Sequence, residues 1–547
     1  MKYNSWWRWV VTLQLLALII GKANCQSNIS DKRSSVLTFE PTWQSLAQYK
    51  IPEWFKDAKF GIWAHWGPQC QPEQGDWYGR FMYVQGSDQY KWHLTHYGHP
   101  SKAGFKDVIH DWKAERWDPE KLVALYKRAG AQYFFAMANH HDNLDLWNSK
   151  HQEWNTVRVG PKKDIVAGWA KAAKNNNLPF GISIHAAHAW TWFETAQHAD
   201  TTGPMKGIPY DGTLTKSQGK GQWWEGLDPQ ALYAQNHALS EGSKDIYSSW
   251  KQWDWGNGAA VPSVAYCNNF RDRAIDLIDT FNPDLIYFDD TVLPFYPVSN
   301  VGLEIAAYYY NHNIASNGGK LNAVLFGKIL NDEQKKCLVW DVERGTPDKT
   351  QTLPWQACSC IGGWHYSRSM YENDQYKSAK DVIHMLVDIV SKNGNLLLNI
   401  PVRGDGTIDE KEVRTLEGIA AWMDMNKESI FETRPWILFG EGPSADAANP
   451  LNAQGFNEGK TKYSSADIRF TQKGNIVYAT ILGTPDQAIN IKSLAKGVNV
   501  SNIKNVILLG SSEKLVWKQT TQMLKIEKPK SQPNEIATVF KIILKKN

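Results

Sequence analysis

The sequence predicts an α/β protein, a (β/α)8 TIM-like barrel followed by a C-terminal antiparallel β-sandwich. Three observations carry this. Apolar runs of strand length alternate with amphipathic helical stretches over roughly 350 residues. Composition then changes once: all 15 His lie at or before His384, and 26 of the 27 Trp lie at or before Trp436. Beyond that point the chain breaks into short strand-like runs separated by Gly, Pro, Asn and Ser.

Taken in order, the chain opens with Lys2 and Arg8, an apolar run from Trp9 to Ile20 and a small-residue exit ending at Cys25. These are the parts of a secretory signal peptide, and the run is too short to span a bilayer stably. The expected segments are a signal peptide over 1–25, a barrel over 26–438 and a sandwich over 439–547. Export to the periplasm or the exterior follows from the first.

The barrel's first strand is Lys59 to Ala64. Asp118-Pro119 then caps a helix whose Leu122, Leu125 and Tyr126 share a face; Gly130 closes it and a buried strand, Gln132 to Ala138, follows. The pairing recurs as Asp164 to Asn175 into Pro179 to Ile184, Arg271 to Phe281 into Asp284 to Phe288, and Lys380 to Lys392 into Leu396 to Ile400. No Gly-rich phosphate loop follows the first strand, which argues against a dinucleotide-binding sheet. The polar, Trp-rich stretch at about 191–261 reads as a βα-loop insertion over the barrel mouth. The sandwich strands are read at 467–470, 475–482, 505–509, 514–517 and 537–544.

Charge narrows the function. With 60 Lys+Arg against 56 Asp+Glu and no long block of one sign, the chain carries no footprint for nucleic acid and no polybasic patch for a membrane. The six Cys show no repeated spacing, so neither a disulfide framework nor a zinc knuckle is expected. Tryptophan is the outlier. Flat amphipathic rings at this density suit stacking on the apolar faces of a ligand.

In a barrel of this type the reactive side chains stand at the C-terminal ends of strands. Here those ends read His65-Trp66-Gly67, Asn139-His140-His141-Asp142, His185-Ala-Ala-His188-Ala-Trp190 and Asp289-Asp290. Two chemistries use such a set. His65, His140, His141 and Asp142 could hold a water-activating metal. Alternatively, paired carboxylates could cleave a glycosidic bond while His, Trp and Arg bind the sugar. The tryptophan excess favours the sugar.

The ordered motifs Lys59-Phe-Gly-Ile-Trp-Ala-His-Trp-Gly67, Asp76-Trp77-Tyr78, His140-His-Asp142, Leu146-Trp-Asn-Ser-Lys150, Trp154-Asn155, Pro283-Asp-Leu-Ile-Tyr-Phe-Asp289 and Asn395-Leu-Leu-Leu-Asn-Ile-Pro401 resemble the family 29 glycoside hydrolases, the α-L-fucosidases. The resemblance runs from about Trp43 to the C-terminus. It implies a retaining double displacement with Asp289 as nucleophile, no cofactor and no metal. The substrate it implies is an exo-cleaved L-fucosyl glycan. His65, His140 and His141 carry over as residues that hydrogen-bond the ring hydroxyls, together with Trp77; the residues themselves add Asp76, His185, Arg344 and Trp364 to the expected binding set and Trp66, Trp77 and Trp190 as stacking plates.

Two positions depart from the family pattern. Asp76 stands where relatives carry Glu, and Gln356 stands where many carry the Glu of a Trp-Glu pair. Gln cannot deliver a proton, so Glu343, beside Arg344, is the expected acid/base, on condition that its strand brings it over Asp289. Gln356 also keeps open a non-catalytic carbohydrate-binding homologue. The imidazoles of His185 to Trp192, in place of the usual Tyr-Ser strand end, keep open an α-L-galactosidase acting on L-galactose or a C6-substituted, for example sulfated, L-galactose of algal type.

Overall fold

The computed structural model describes residues 38–244, 254–255, 258–451, 455–497, 500 and 502–545. The expected signal segment lies outside them. Eight parallel strands close on themselves in chain order: β1 (Phe60–Ala64), β2 (Tyr133–Asn139), β3 (Phe180–Ile184), β4 (Leu285–Phe288), β5 (Val324–Gly327), β6 (Val339–Glu343), β7 (Trp355–Cys360) and β8 (Gly394–Asn399), with β8 pairing β1. Every residue of β1, β2, β3, β4, β5, β7 and β8 is buried, as strands covered on both faces require.

The helices expected from caps and apolar faces form, and two more, not expected, join them. The helix α1 (Pro119–Arg128) starts with Asp118 accepting the Lys121 N–H, and α2 (Ile165–Asn175) with Asp164 accepting the Ala167 N–H. Further round lie α3 (Val264–Phe281), α4 (Val301–Ser316), α5 (Ala379–Ser391) and α6 (Glu410–Asn426). The α3 helix starts earlier than its apolar pattern suggested because Ser263 caps it through the Tyr266 N–H. From β5 to β7 the connections carry no α-helix among the described residues, only a short 3-10 turn at Gln334–Lys336. Strands β6 and β7 therefore lacked the helix-then-strand signature that made β2, β3, β4 and β8 legible.

The second sheet system begins inside the compositional boundary. Strand β9 (Arg434–Glu441) joins β10 (Ile468–Lys473), β11 (Ile476–Ile481), β16 (Thr538–Leu544) and β13 (Ile503–Leu508) in a five-stranded antiparallel sheet. A three-stranded sheet holds β12 (Ile489–Ile491), β15 (Leu524–Ile526) and β14 (Trp517–Gln519). Their inner faces enclose a separate core around Trp436, Phe470 and Phe540. Barrel and sandwich are joined by a buried ion pair, Asp388 of α5 to Arg469 of β10 at 2.6 Å, and by Trp422 of α6 donating to the Ala537 carbonyl at 3.0 Å. Cys70, Cys267, Cys337, Cys358 and Cys360 are buried free thiols.

Candidate active site

Above the C-terminal ends of the strands opens a cavity of about 750 Å³. His65, Asp76, Trp77, His140, His141, His185, Asp289, Glu343, Arg344 and Trp364 all line it, so ten of the twelve expected site residues converge from distant parts of the chain.

Asparagines at strand ends set the floor. Asn399, last of β8, accepts the His65 backbone N–H through Oδ1 at 2.9 Å and donates from Nδ2 to the Trp364 carbonyl at 2.8 Å. Asn139, last of β2, accepts the backbone N–H groups of His185 at 3.0 Å and Ala186 at 3.1 Å. Asp76 accepts the N–H of Trp364 at 3.2 Å and of His365 at 2.6 Å. The shorter acid thus positions the turn that carries the Trp364 ring.

The imidazoles are fixed in defined proton states. Gln69 donates its Nε2 hydrogens to His140 Nδ1 at 2.8 Å and Asp142 Oδ2 at 3.2 Å, so the neutral His140 ring turns Nε2–H toward the cavity. His185 donates Nδ1–H to Asp289 Oδ2 at 3.1 Å and accepts from Ser183 at 3.0 Å. His141 places Nδ1 2.8 Å from the His185 carbonyl and Nε2 3.2 Å from Asp289 Oδ2; burial pulls this ring down to about 4, against the opposing pull of the Asp289 charge. Burial pushes His65 well below the usual histidine range, with the neighbouring His365 and His185 adding to it. Both its ring nitrogens lack a protein partner. A buried, neutral, unpartnered imidazole suits a ligand hydroxyl, which can accept from one nitrogen or donate to it.

Asp289 and Glu343 are joined by a residue that sequence reasoning missed. Lys328, directly after β5, places its ammonium 2.5 Å from Asp289 Oδ1 and 2.6 Å from Glu343 Oε2. Two such legs meeting at one nitrogen hold the two carboxylate oxygens within about 5 Å of each other. Burial alone would raise the Asp289 carboxyl; the Lys328 charge, with the hydrogen bonds from His141 and His185, overturns it and holds the group well below the usual carboxylate range. The signal for Lys328 was present, a polar residue closing the apolar run Val324-Leu-Phe-Gly327, as at the other strand ends. Asp290 is occupied differently: its oxygens accept the N–H of Thr291 at 2.7 Å and of Phe295 at 3.1 Å, and it faces His188 at 3.3 Å.

Two expected stacking plates lie elsewhere, and these are corrections. Trp66 is buried against Trp112, Trp117 and Trp169, with ring centroids 5.1, 5.5 and 6.1 Å away, and donates to the Arg403 carbonyl at 2.8 Å. It follows His65 on the chain and so points away from the side His65 faces. Trp190 stacks on His237 with centroids 3.9 Å apart and lies tilted against Tyr266 at 4.8 Å. Other rings line the cavity instead: Trp63, Trp255, Tyr287 and Phe456, the last from the far side of the barrel–sandwich boundary.

Gln356 does not reach the cavity. It lies buried early in β7, accepting from Tyr133 Oη at 3.0 Å and donating to Asp341 at 2.9 Å, so it does not occupy the place of a proton donor. For a metal, His65, His140 and His185 bring nitrogens within 4.8 Å of one another, as do His141 and His185 with a carboxylate oxygen of Asp289. The hydrogen bonds above leave His185 without a spare lone pair and present His140 as a donor, which fits a polyhydroxylated ligand better than an ion. Asp142, pushed up to about 6 by burial, is fully enclosed behind Gln69 and does not line the cavity.

Comparison with known proteins places the chain in a family. The family profile described as Alpha-L-fucosidase matches residues 25–428, and the one described as Alpha-L-fucosidase C-terminal domain matches 461–545. The chain is 24% identical to the tissue alpha-L-fucosidase of Homo sapiens, over 96% of this chain and 95% of that one. Among solved structures it resembles the Thermotoga maritima alpha-fucosidase, with a TM-score of 0.65 at 24% identity over 92% of this chain and 100% of that one. It also resembles alpha-L-fucosidase isoenzyme 1 from Paenibacillus thiaminolyticus, at 0.60 and 19% over 92% and 100%.

Proposed function

The chain belongs to the α-L-fucosidase family, and from that premise we propose that it is an exo-acting, retaining hydrolase that releases terminal α-L-fucose from oligo- or polysaccharides. The observation that carries the reading is the pair Asp289 and Glu343, held by one ammonium within about 5 Å of each other.

The chemistry follows from that pair. An Asp289 oxygen attacks the anomeric carbon as its bond to the glycosidic oxygen breaks, and that oxygen takes the proton of Glu343. In the second step Glu343 accepts a proton from water, the resulting oxygen attacks the same carbon, and Asp289 leaves as a carboxylate. Two inversions restore the starting configuration. Lys328 keeps Asp289 ionised for attack, while His65, His140 and the Trp364 turn hold the ring hydroxyls.

A second reading, hydrolysis of α-L-galactosides with a free or substituted C6, is favoured by the His188 and Asp290 pair, which lines the cavity next to Asp289. Such polar groups can receive a C6 hydroxyl that fucose lacks. One experiment tests both readings: a hydrolysis panel of L-fucosides and L-galactosides with the product anomer followed by NMR. Release of α-L-fucose as the first-formed anomer supports the main reading, and preferential release of L-galactose the second. The β-anomer as first product removes the retaining mechanism, and binding without release leaves a non-catalytic binder.

We also propose that the chain is exported, on the signal-like features of residues 1–25. No helix among the described residues is long and apolar enough to cross a membrane. Sequencing the N-terminus of the mature protein tests this; an N-terminus at Met1 overturns it.

A further inference from the structure

The wall behind Glu343 is built by the C-terminal part of the chain. Gly455 pairs with Glu343 as an isolated parallel bridge, the Phe456 N–H donates to the Glu343 carbonyl at 2.9 Å, and the Glu458 N–H donates to the Arg344 carbonyl at 3.0 Å. Next to it, Asn457 donates from Nδ2 to the Thr346 carbonyl at 3.0 Å and accepts the Thr346 N–H at 2.9 Å. Glu458 accepts from the Ser359 hydroxyl at 2.5 Å. Residues 455–458 therefore run beside the end of β6, tied by one isolated bridge and these hydrogen bonds to the backbone of the acid/base residue.

That register presents one side chain to the cavity. Phe456 lines it, and of the aromatic rings that do so Phe456 is the most exposed, at 38%. Its backbone is left-handed, with φ of 55°, a conformation that bulky residues adopt only where surrounding contacts impose it. Gly455 before it has φ of 126°, and a Cβ there would stand 2.1 Å from the Glu343 carbonyl oxygen, so the close approach requires glycine.

The cavity thus has two ends of different character. At the floor, Asp289 is surrounded by buried imidazoles and Lys328; on the Glu343 side, an aromatic face stands open to solvent. A sugar whose anomeric carbon sits over Asp289 sends its leaving group past Glu343, because that residue protonates the glycosidic oxygen.

Building on the hydrolase reading above, we propose that Phe456 is the stacking platform for the leaving-group sugar, and that this subsite takes a pyranose presenting its apolar C–H face, such as galactose. The barrel binds the cleaved residue, and the C-terminal segment selects what it is attached to.

The test uses the full chain carrying Asp289→Asn, which holds ligands without turnover, and calorimetric titration with methyl α-L-fucoside and with an α-L-fucosyl-galactose disaccharide. The disaccharide is expected to bind about tenfold tighter than the methyl glycoside; adding Phe456→Ala removes that advantage and Phe456→Trp retains it. Equal affinities for the two ligands overturn the proposal, as does an advantage that survives Phe456→Ala. An equal loss for both ligands in Phe456→Ala also overturns it, since that marks a structural role. A chain that binds neither ligand fails the hydrolase reading and this one together, whereas binding of methyl fucoside without a disaccharide advantage fails only this one.

Discussion

Lys328 holds Asp289 by a 2.5 Å contact from ammonium to carboxylate, and the same ammonium reaches Glu343 at 2.6 Å. The contact fixes the proton state of the carboxylate that, in the proposed mechanism, attacks as an anion. Replacing Lys328 by Met removes the charge that outweighs burial, so the Asp289 pKa rises. The acid limb of kcat/KM then moves to higher pH by the same amount, because the active form is the ionised one and is lost as pH falls through that pKa. A pH–rate profile of Lys328→Met whose acid limb coincides with that of the wild type overturns this assignment.

The two carboxylates are separable by leaving group. Asp289→Ala is expected to lose activity on every substrate, since no bond to the anomeric carbon can form. Glu343→Ala is expected to lose about 10²–10⁴-fold on sugar or alkyl leaving groups, the usual worth of a positioned acid, and far less on a dinitrophenyl fucoside whose departing oxygen needs no proton. Comparing kcat/KM for the two classes checks it; an equal loss on both removes Glu343 from the acid role.

Much of this site was legible in the sequence, for a physical reason. Barrel geometry puts the residue after each apolar run at the mouth, so His65, His140, His185 and Asp289 could be placed by reading where strands end. Lys328 obeyed the same rule, but β5 spans only Val324–Gly327 and follows α4, a helix with no side-chain cap at its start, so no capped helix announced the strand. Phe456 lay beyond reach in another way. Its place depends on a backbone pairing across more than a hundred residues, for which a sequence carries no local pattern. Trp66 shows the converse limit: composition signals aromatic rings in excess, but not which of them face a ligand and which face one another.

Trp66 gives a direct measure of that distinction. Its ring is 1% exposed and closes a four-tryptophan cluster against α2, so Trp66→Ala is expected to cost about 3–5 kcal/mol of stability. KM for aryl fucoside should remain within about twofold of the wild type under conditions where the variant is folded. Urea unfolding and steady-state kinetics on the same preparation decide the matter, and a large rise in KM with unchanged stability returns Trp66 to the sugar site.

The loop that carries His140 and His141 is anchored from below by a buried ion pair. Arg273 of α3 donates from Nε to Asp145 at 3.0 Å and from its NH1 group to Asn143 at 2.8 Å, and both Arg273 and Asp145 are essentially inaccessible. Burial raises the Asp145 carboxyl, and the Arg273 charge is what opposes that rise. Arg273→Met strands a carboxylate in the interior and is expected to cost about 3–5 kcal/mol at neutral pH. The cost should shrink as pH falls from 7 toward 5. With its partner gone, Asp145 has a folded-state pKa above its unfolded one, so the folded state binds the extra proton and gains stability in acid. The double variant Asp145→Asn with Arg273→Met should recover part of the loss and abolish the pH dependence, because no buried charge is left to neutralise. Urea unfolding at pH 5 and pH 7 for the wild type and the two variants measures both terms, and a pH-independent cost in the single variant would show that Asp145 does not carry the penalty.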